Sequence, residues 1–239
     1  MMKFLAGILL AVSILFSGNA CSSKPDLTPI AVDHDRYLTP EKYDIIRSSA
    51  ARCNIFENGR HRGHGTAWAI QKDDIGTLWI TCGHVVDTMI AEGGSGTVEY
   101  KDCKDEFVIY PMSNIRKCDY ADVAFFTTES FTKSILPLAK VEDIWQLKPG
   151  DLLAAAGCPL ELFPPVVSVG VYNEITEQGI STTVGGWFGS SGSAVVDVRT
   201  MKVIGIQFQF YKQPYRSDEV WALPAFLIRK FLESQQALK

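Results

Sequence analysis

The chain has 239 residues, 46% apolar and 21% charged, with 23 Lys and Arg against 27 Asp and Glu. That balance excludes a disordered or collagen-like chain, and a formal charge of -4 supplies no basic field for a phosphate backbone, so no nucleic-acid partner is expected. The length suits a single unit with a sizeable core. In chain order the first feature is Lys3, an apolar run from Phe4 to Phe16, and then Ser17, Gly18, Asn19 and Ala20. Residues 1–20 read as a signal peptide, because the run falls short of the roughly 20 residues that a membrane-spanning helix needs.

Cys21 follows directly, and Cys21-Ser22-Ser23 resembles the start of a bacterial lipoprotein, in which the cysteine is acylated. Gly18 and Ala20 equally fit cleavage to a soluble secreted protein. Either route implies export, with membrane contact only through an N-terminal lipid on Cys21. Export permits disulfides among the six cysteines, and Cys103 with Cys118 is the first pairing to test; the alternative is that all are buried small apolar groups. None has metal-site spacing, so no metal is expected.

Residues 21–43 are rich in Pro, Asp and Ser and read as a tether to a folded domain at 44–239. Strand-like runs follow at 50–57, 64–71, 76–81, 96–100, 106–110 and 122–127. After a mixed segment at 128–148 come 151–156, 166–175, 180–184, 194–198, 203–210 and 220–223. Two sets of about six short strands predict an all-β fold of two closed antiparallel barrels, at about 49–127 and 149–223. Residues 224–238 predict a C-terminal helix, opened by Pro224, with Leu227, Ile228, Phe231 and Leu232 on one stripe against the second barrel.

Four histidines limit the choice of a general base near neutral pH. His34 falls in the tether. His61 and His64 fall in the Gly- and Arg-rich stretch 59–65, read as a solvated turn with no carboxylate or thiolate to complete a metal site. His84 ends an apolar strand at a barrel rim. The stretch Gly185-Gly-Trp-Phe-Gly-Ser-Ser-Gly-Ser-Ala194 allows a tight turn whose N–H groups converge around an exposed serine hydroxyl. Alone, each feature is a common structural one.

Together they resemble the trypsin-like (chymotrypsin-fold) serine peptidases, most closely the HtrA-like bacterial branch without PDZ domains. Ile80-Thr-Cys-Gly-His-Val-Val-Asp87 is similar to the family's Thr-x-x-His-Val-Val segment, and Ala121-Asp-Val-Ala-Phe-Phe126 to its Asp-Ile-Ala-Leu segment. Residues 150–160 are similar to the opening of its second barrel, and Gly189-Ser-Ser-Gly-Ser-Ala194 to its Gly-Asn-Ser-Gly-Gly-Ala. The ordered set spans about residues 49–233. The resemblance implies Ser191 as nucleophile, His84 as general base and Asp122 as its carboxylate partner, with Asp122 anchored in a strand. It also implies backbone N–H groups of Gly189 and Ser191 as the oxyanion hole, a protein or peptide substrate, and no cofactor.

The pattern departs from the family at Ser190, which cannot pair with an N-terminal ammonium, and at Ser193, which adds a side chain where Gly is usual. By the same resemblance the substrate pocket falls at Gly185, Phe208 and Gln209, without the carboxylate that would select Arg or Lys. Trp187, Phe188 and Phe208 would narrow it, giving an expected preference for a small or medium uncharged residue. The resulting expectation is an exported serine endopeptidase. The rivals are an inactive envelope lipoprotein of the same fold that binds a partner, and a module that binds through a sheet edge.

Overall fold

Period-2 alternation of apolar side chains builds two antiparallel sheets. The computed structural model of the chain describes residues 37–91, 93–213 and 216–236, with backbone alone at 88, 209–213, 216–218 and 236. The first sheet holds β1 (Ala50–Glu57), β2 (Arg60–Lys72), β3 (Thr77–Thr81), β4 (Ser95–Lys101), β5 (Phe107–Pro111), β6 (Ser113–Lys117) and β7 (Ala124–Thr128). Its strand order is β5-β4-β1-β2-β3-β7-β6. The second holds β8 (Leu152–Gly157), β9 (Val166–Thr176), β10 (Gly179–Thr182), β11 (Ala194–Asp197), β12 (Lys202–Gln213) and β13 (Arg216–Pro224). It closes into a barrel in the order β10-β13-β12-β11-β8-β9.

The chain is therefore mostly β, with one difference from the expected pair of six-stranded barrels. The first sheet has a seventh strand, β6, and its end strands β5 and β6 are not paired with each other. The sequence Ser113-Asn-Ile-Arg-Lys117 has no buried face, and its strand character comes only from pairing with β7. Composition could not reveal it.

Alternation also explains how the two sheets meet. On β8, Leu153 and Ala155 point into the barrel core, while Ala154 and Ala156 join the core of the first sheet. On β11, Val195 and Val196 divide the same way. Both strands are buried on two faces, which is why they read as continuous apolar runs rather than alternating ones. The first core is centred on Trp79, whose ring packs 4.7 Å from Tyr100 and stacks 6.4 Å from Phe126, and whose Nε1–H donates to Thr128 Oγ1 at 3.0 Å.

Four helices complete the fold: α1 (Pro40–Ser48), α2 (Asp87–Ala91), α3 (Val141–Trp145) and α4 (Ala225–Gln236). Helix α1 starts inside the stretch expected to be tether. Thr39 caps it and Pro40 takes its first turn, with Ile46 buried against the core. Helix α4 corrects an expectation: it does not serve the barrel alone. Ala225 joins the barrel core, but Ile228 and Phe231 join the first core, with Phe231 at 5.5 Å from Phe125 of β7. The described residues belong to one compact unit, Asp33–Lys239. Among them no helix is long and apolar enough to cross a membrane. Residues 1–36, with Cys21 and His34, lie outside the described residues.

Candidate active site

Strand β3 delivers Cys82 and then a single 3-10 turn, Gly83–Val85, which presents His84 at the sheet rim. Asp122 was expected in a strand. It sits instead in the bend two residues before β7, and its place is fixed by hydrogen bonds. One carboxylate oxygen, Oδ1, accepts the His84 backbone N–H at 2.8 Å, and the other, Oδ2, faces His84 Nδ1 at 2.6 Å. Burial would raise the Asp122 carboxyl. The His84 side-chain bond and charge, the His84 N–H and Lys117 outweigh it and hold the group below its ordinary range.

The serine-bearing loop between β10 and β11 is braced from β2. Thr66 Oγ1 donates to the Gly189 carbonyl at 2.7 Å and Thr66 N–H to the Ser191 carbonyl at 2.8 Å. Leu160 N–H donates to the Phe188 carbonyl at 2.8 Å, so the trans peptide turns the Gly189 N–H away from Leu160. Around them the N–H groups of Trp187, Ser190, Gly192 and Ser193 all have acceptors. Among the described residues those of Gly189 and Ser191 have none in the chain. Gly192 sits at φ +96, and a Cβ there would stand 1.9 Å from the Thr66 carbonyl oxygen. Gly192→Ala is expected to destabilise the fold by about 3 kcal/mol, read as a fall in Tm of roughly 6–12 °C.

His84, Gly189, Ser191, Trp187 and Phe208 line one open cleft of about 470 Å³. Ser191 is partly buried and His84 exposed; no hydrogen bond joins Ser191 Oγ to His84 among the described residues. Residues 65–206, more than half of the chain, match the trypsin-like peptidase domain. The chain belongs to the trypsin-like peptidase family. In structure it is similar to Deg5 at a TM-score of 0.66 and 15% identity, covering 83% of this chain and 93% of that one. It is also similar to a serine endoprotease from Yersinia pestis at a TM-score of 0.65 and 16% identity, covering 86% and 67%. No curated protein sequence matches. At these identities the likenesses show the trypsin-like fold.

Within this trypsin-like fold the other predicted residues fall as follows. Gly185 borders a smaller cavity beneath the loop, and Phe208 borders the cleft. The side chain of Gln209 is outside the described residues. Trp187 and Phe188 are 42% and 67% exposed, so they form a rim rather than a closed wall. Ser190 Oγ accepts the Trp187 N–H at 3.2 Å, a local bond within the loop.

Cys103 and Cys118 are both free thiols, one exposed and one buried, which overturns the bridge considered between them. Cys53, Cys82 and Cys158 are buried thiols as well, and burial pushes Cys158 up to about 12. Cys82 Sγ, a His84 nitrogen and an Asp122 oxygen lie within 4.8 Å of one another. Burial, and then the Asp122 charge, push the Cys82 thiol well up, and its S–H donates to the Gln207 carbonyl at 3.2 Å.

His64 is a neighbour of the serine loop that the solvated-turn reading of 59–65 missed, although the strand-like run at 64–71 begins on it. It lies in β2, not in a solvated turn, because Asn58 and Gly59, at φ +50 and +74, make a two-residue hairpin turn and send Arg60–Gly65 back as strand. The Asn-Gly pair was the available signal. The ring lies against Gly189, its Nε2 2.2 Å from where a Cβ would stand, and Nε2 accepts the Glu161 N–H at 3.0 Å. Burial lowers its pKa, with His61 and Arg52 adding to the effect and Glu161 and the Phe188 backbone opposing it.

Proposed function

We propose that the protein is a serine endopeptidase that hydrolyses peptide bonds through an acyl-enzyme, with Ser191 as nucleophile, His84 as general base and Asp122 as the carboxylate that orients it. The observation that carries this reading is that both oxygens of Asp122 are committed to His84. This leaves the ring's Nε2 as the base, on the cleft it shares with Ser191. The chemistry follows in order. Nε2 takes the Ser191 proton as Oγ attacks the carbonyl carbon, and the oxyanion is held by the N–H groups of Gly189 and Ser191. The imidazolium then protonates the departing amine, and water repeats the sequence to free Ser191.

Export is part of the proposal, supported by Lys3, the apolar run from Phe4 to Phe16 and Cys21, with a lipid on Cys21 as the membrane tether. The test of activity is labelling of the folded protein by a fluorophosphonate probe and its abolition in Ser191→Ala. A folded protein that takes up no probe rejects the reading and favours a partner-binding relative without catalysis.

His64 adds a pH prediction. Its neutral Nε2 holds Glu161, next to the Leu160 N–H that fixes the Phe188–Gly189 peptide, and Leu160 and Glu161 both occupy strained positive φ. Protonation removes the accepting lone pair. Because the folded pKa is lowered, the stability that His64 contributes is whole above the ordinary value of about 6.5 and is lost as pH falls through that value and the folded pKa. The acid limb of log kcat/KM should steepen from one proton to two, and His64→Gln should return it to one. An identical limb in both proteins would refute the assignment.

A further inference from the structure

Gln207 and Ser193 are 3% and 1% exposed, and Gln207 Nε2 and Ser193 Oγ are buried polar atoms without a hydrogen-bond partner among the described residues. Both border the same cavity of about 150 Å³ under the serine loop, together with Gly185, Gly186, Trp187 and Ser190. Gln207 also borders the cleft that holds Ser191. It therefore stands in the wall between the reaction centre and the smaller cavity.

Its aim is fixed by backbone. Gln207 N–H donates to the Ser193 carbonyl at 2.9 Å, and its own carbonyl accepts the Gly192 N–H at 2.8 Å. A Cβ on Gly186 would stand 2.1 Å from Nε2, so bare backbone there makes room for the amide. A buried donor with no acceptor is costly, and a ligand that supplies the acceptor recovers that cost on binding.

We infer that the peptidase selects an uncharged amide side chain, glutamine or asparagine, immediately before the cleaved bond, holding its carbonyl oxygen on Gln207 Nε2. The inference rests on the reading of Ser191 as nucleophile. The substrate amide's own N–H groups donate to Ser193 Oγ, so one side chain satisfies both orphaned atoms. Among the described residues no Lys, Arg or His borders the small cavity, so a carboxylate entering it would be buried without a cation from them. A Lys or Arg side chain would meet the Nε2 donor and no carboxylate. An apolar side chain of equal length would leave both polar atoms unpaired.

The test uses peptides identical except for Gln, Glu or Met before the cleaved bond, with the parent protein, Gln207→Met and Ser193→Ala, each also assayed for fluorophosphonate labelling of Ser191. In the parent, kcat/KM for Gln should exceed that for Met by about tenfold or more, with Glu behind Gln. Gln207→Met should bring the Gln-to-Met ratio to about one, and Ser193→Ala should lower it. Gln207→Met removes an unpartnered buried donor, so its Tm should be no lower than the parent's. A Gln-to-Met ratio near one in a parent that labels normally, or a ratio that neither variant changes, overturns the selectivity and leaves the nucleophile standing. No labelling of the parent overturns both.

Discussion

Ser191→Ala is expected to lower peptide turnover by about 10⁶, with the fold unchanged and fluorophosphonate labelling lost. The size follows from what the alcohol does. Without Oγ no acyl-enzyme forms, and what survives is water attack assisted by the amide donors at Gly189 and Ser191. His84→Ala should cost about as much, because a serine alcohol stays protonated near neutral pH unless an imidazole removes its proton. The double variant should be no worse than either single one, since the two groups serve one step. Losses of only a few fold, or additive losses, would show that the hydroxyl and the ring do not act together. The substitution is structurally mild: the loop is held by the Ser191 carbonyl on Thr66 N–H, a bond that alanine keeps. A melting temperature within a few degrees of the parent would separate lost chemistry from lost fold.

Most of the fold could be read wherever side chains carried the information. The run Ala50–Glu57 alternates from Ala51 to Phe56, and it forms a strand because Ala51, Cys53 and Ile55 enter the core while Arg52, Asn54 and Phe56 between and after them stay half-buried. The pairs Leu153 and Ala154, or Val195 and Val196, read as strand only because both faces are buried, and what each face meets is a tertiary fact. Where pairing rather than burial makes the element, as in β6, the residues looked like loop. Helix α1 was missed for a different reason: its Thr39-Pro40 start is a sound local signal but lay in a stretch whose Pro, Asp and Ser content suggested a tether.

The site divides in the same manner. Spacing and resemblance selected His84 and Asp122, and the fold brings them into contact across 38 residues of chain. Asp122 was assigned on the apolar run after it, but its place depends on a bend and on the His84 N–H. His64 and Gln207 could not be selected, because nothing in the residues before or after them indicates that one leans on Gly189 or that the other's amide has no partner. Both facts come from elements far apart in sequence: β2 against the serine loop, and β12 against the cavity beneath that loop.

Asp122→Asn is the variant that tests the orientation of the base, and a loss of about 10⁴ in kcat is expected with little change in KM. The reason lies in the two bonds to one carboxylate. Oδ1 accepts the His84 backbone N–H at 2.8 Å, and an N–H can only donate, so an asparagine must place its carbonyl oxygen there. Its NH₂ group then occupies the position of Oδ2, 2.6 Å from Nδ1 in the parent. Nδ1 is forced to accept, the proton moves to Nε2, and the nitrogen facing the cleft is a donor that cannot take the Ser191 proton. The side chains remain in place and the tautomer is wrong. Asp122 also ties this contact to stability: it is held below its ordinary range, so the stability it contributes is complete above about pH 4 and is lost as pH falls through its folded pKa. Proton NMR offers an independent reading, since the downfield resonance of a Nδ1–H shared with a carboxylate should be present in the parent and missing in Asp122→Asn. A variant that keeps that resonance and loses activity, or loses the resonance and keeps full turnover, would separate Asp122 from the role assigned to it.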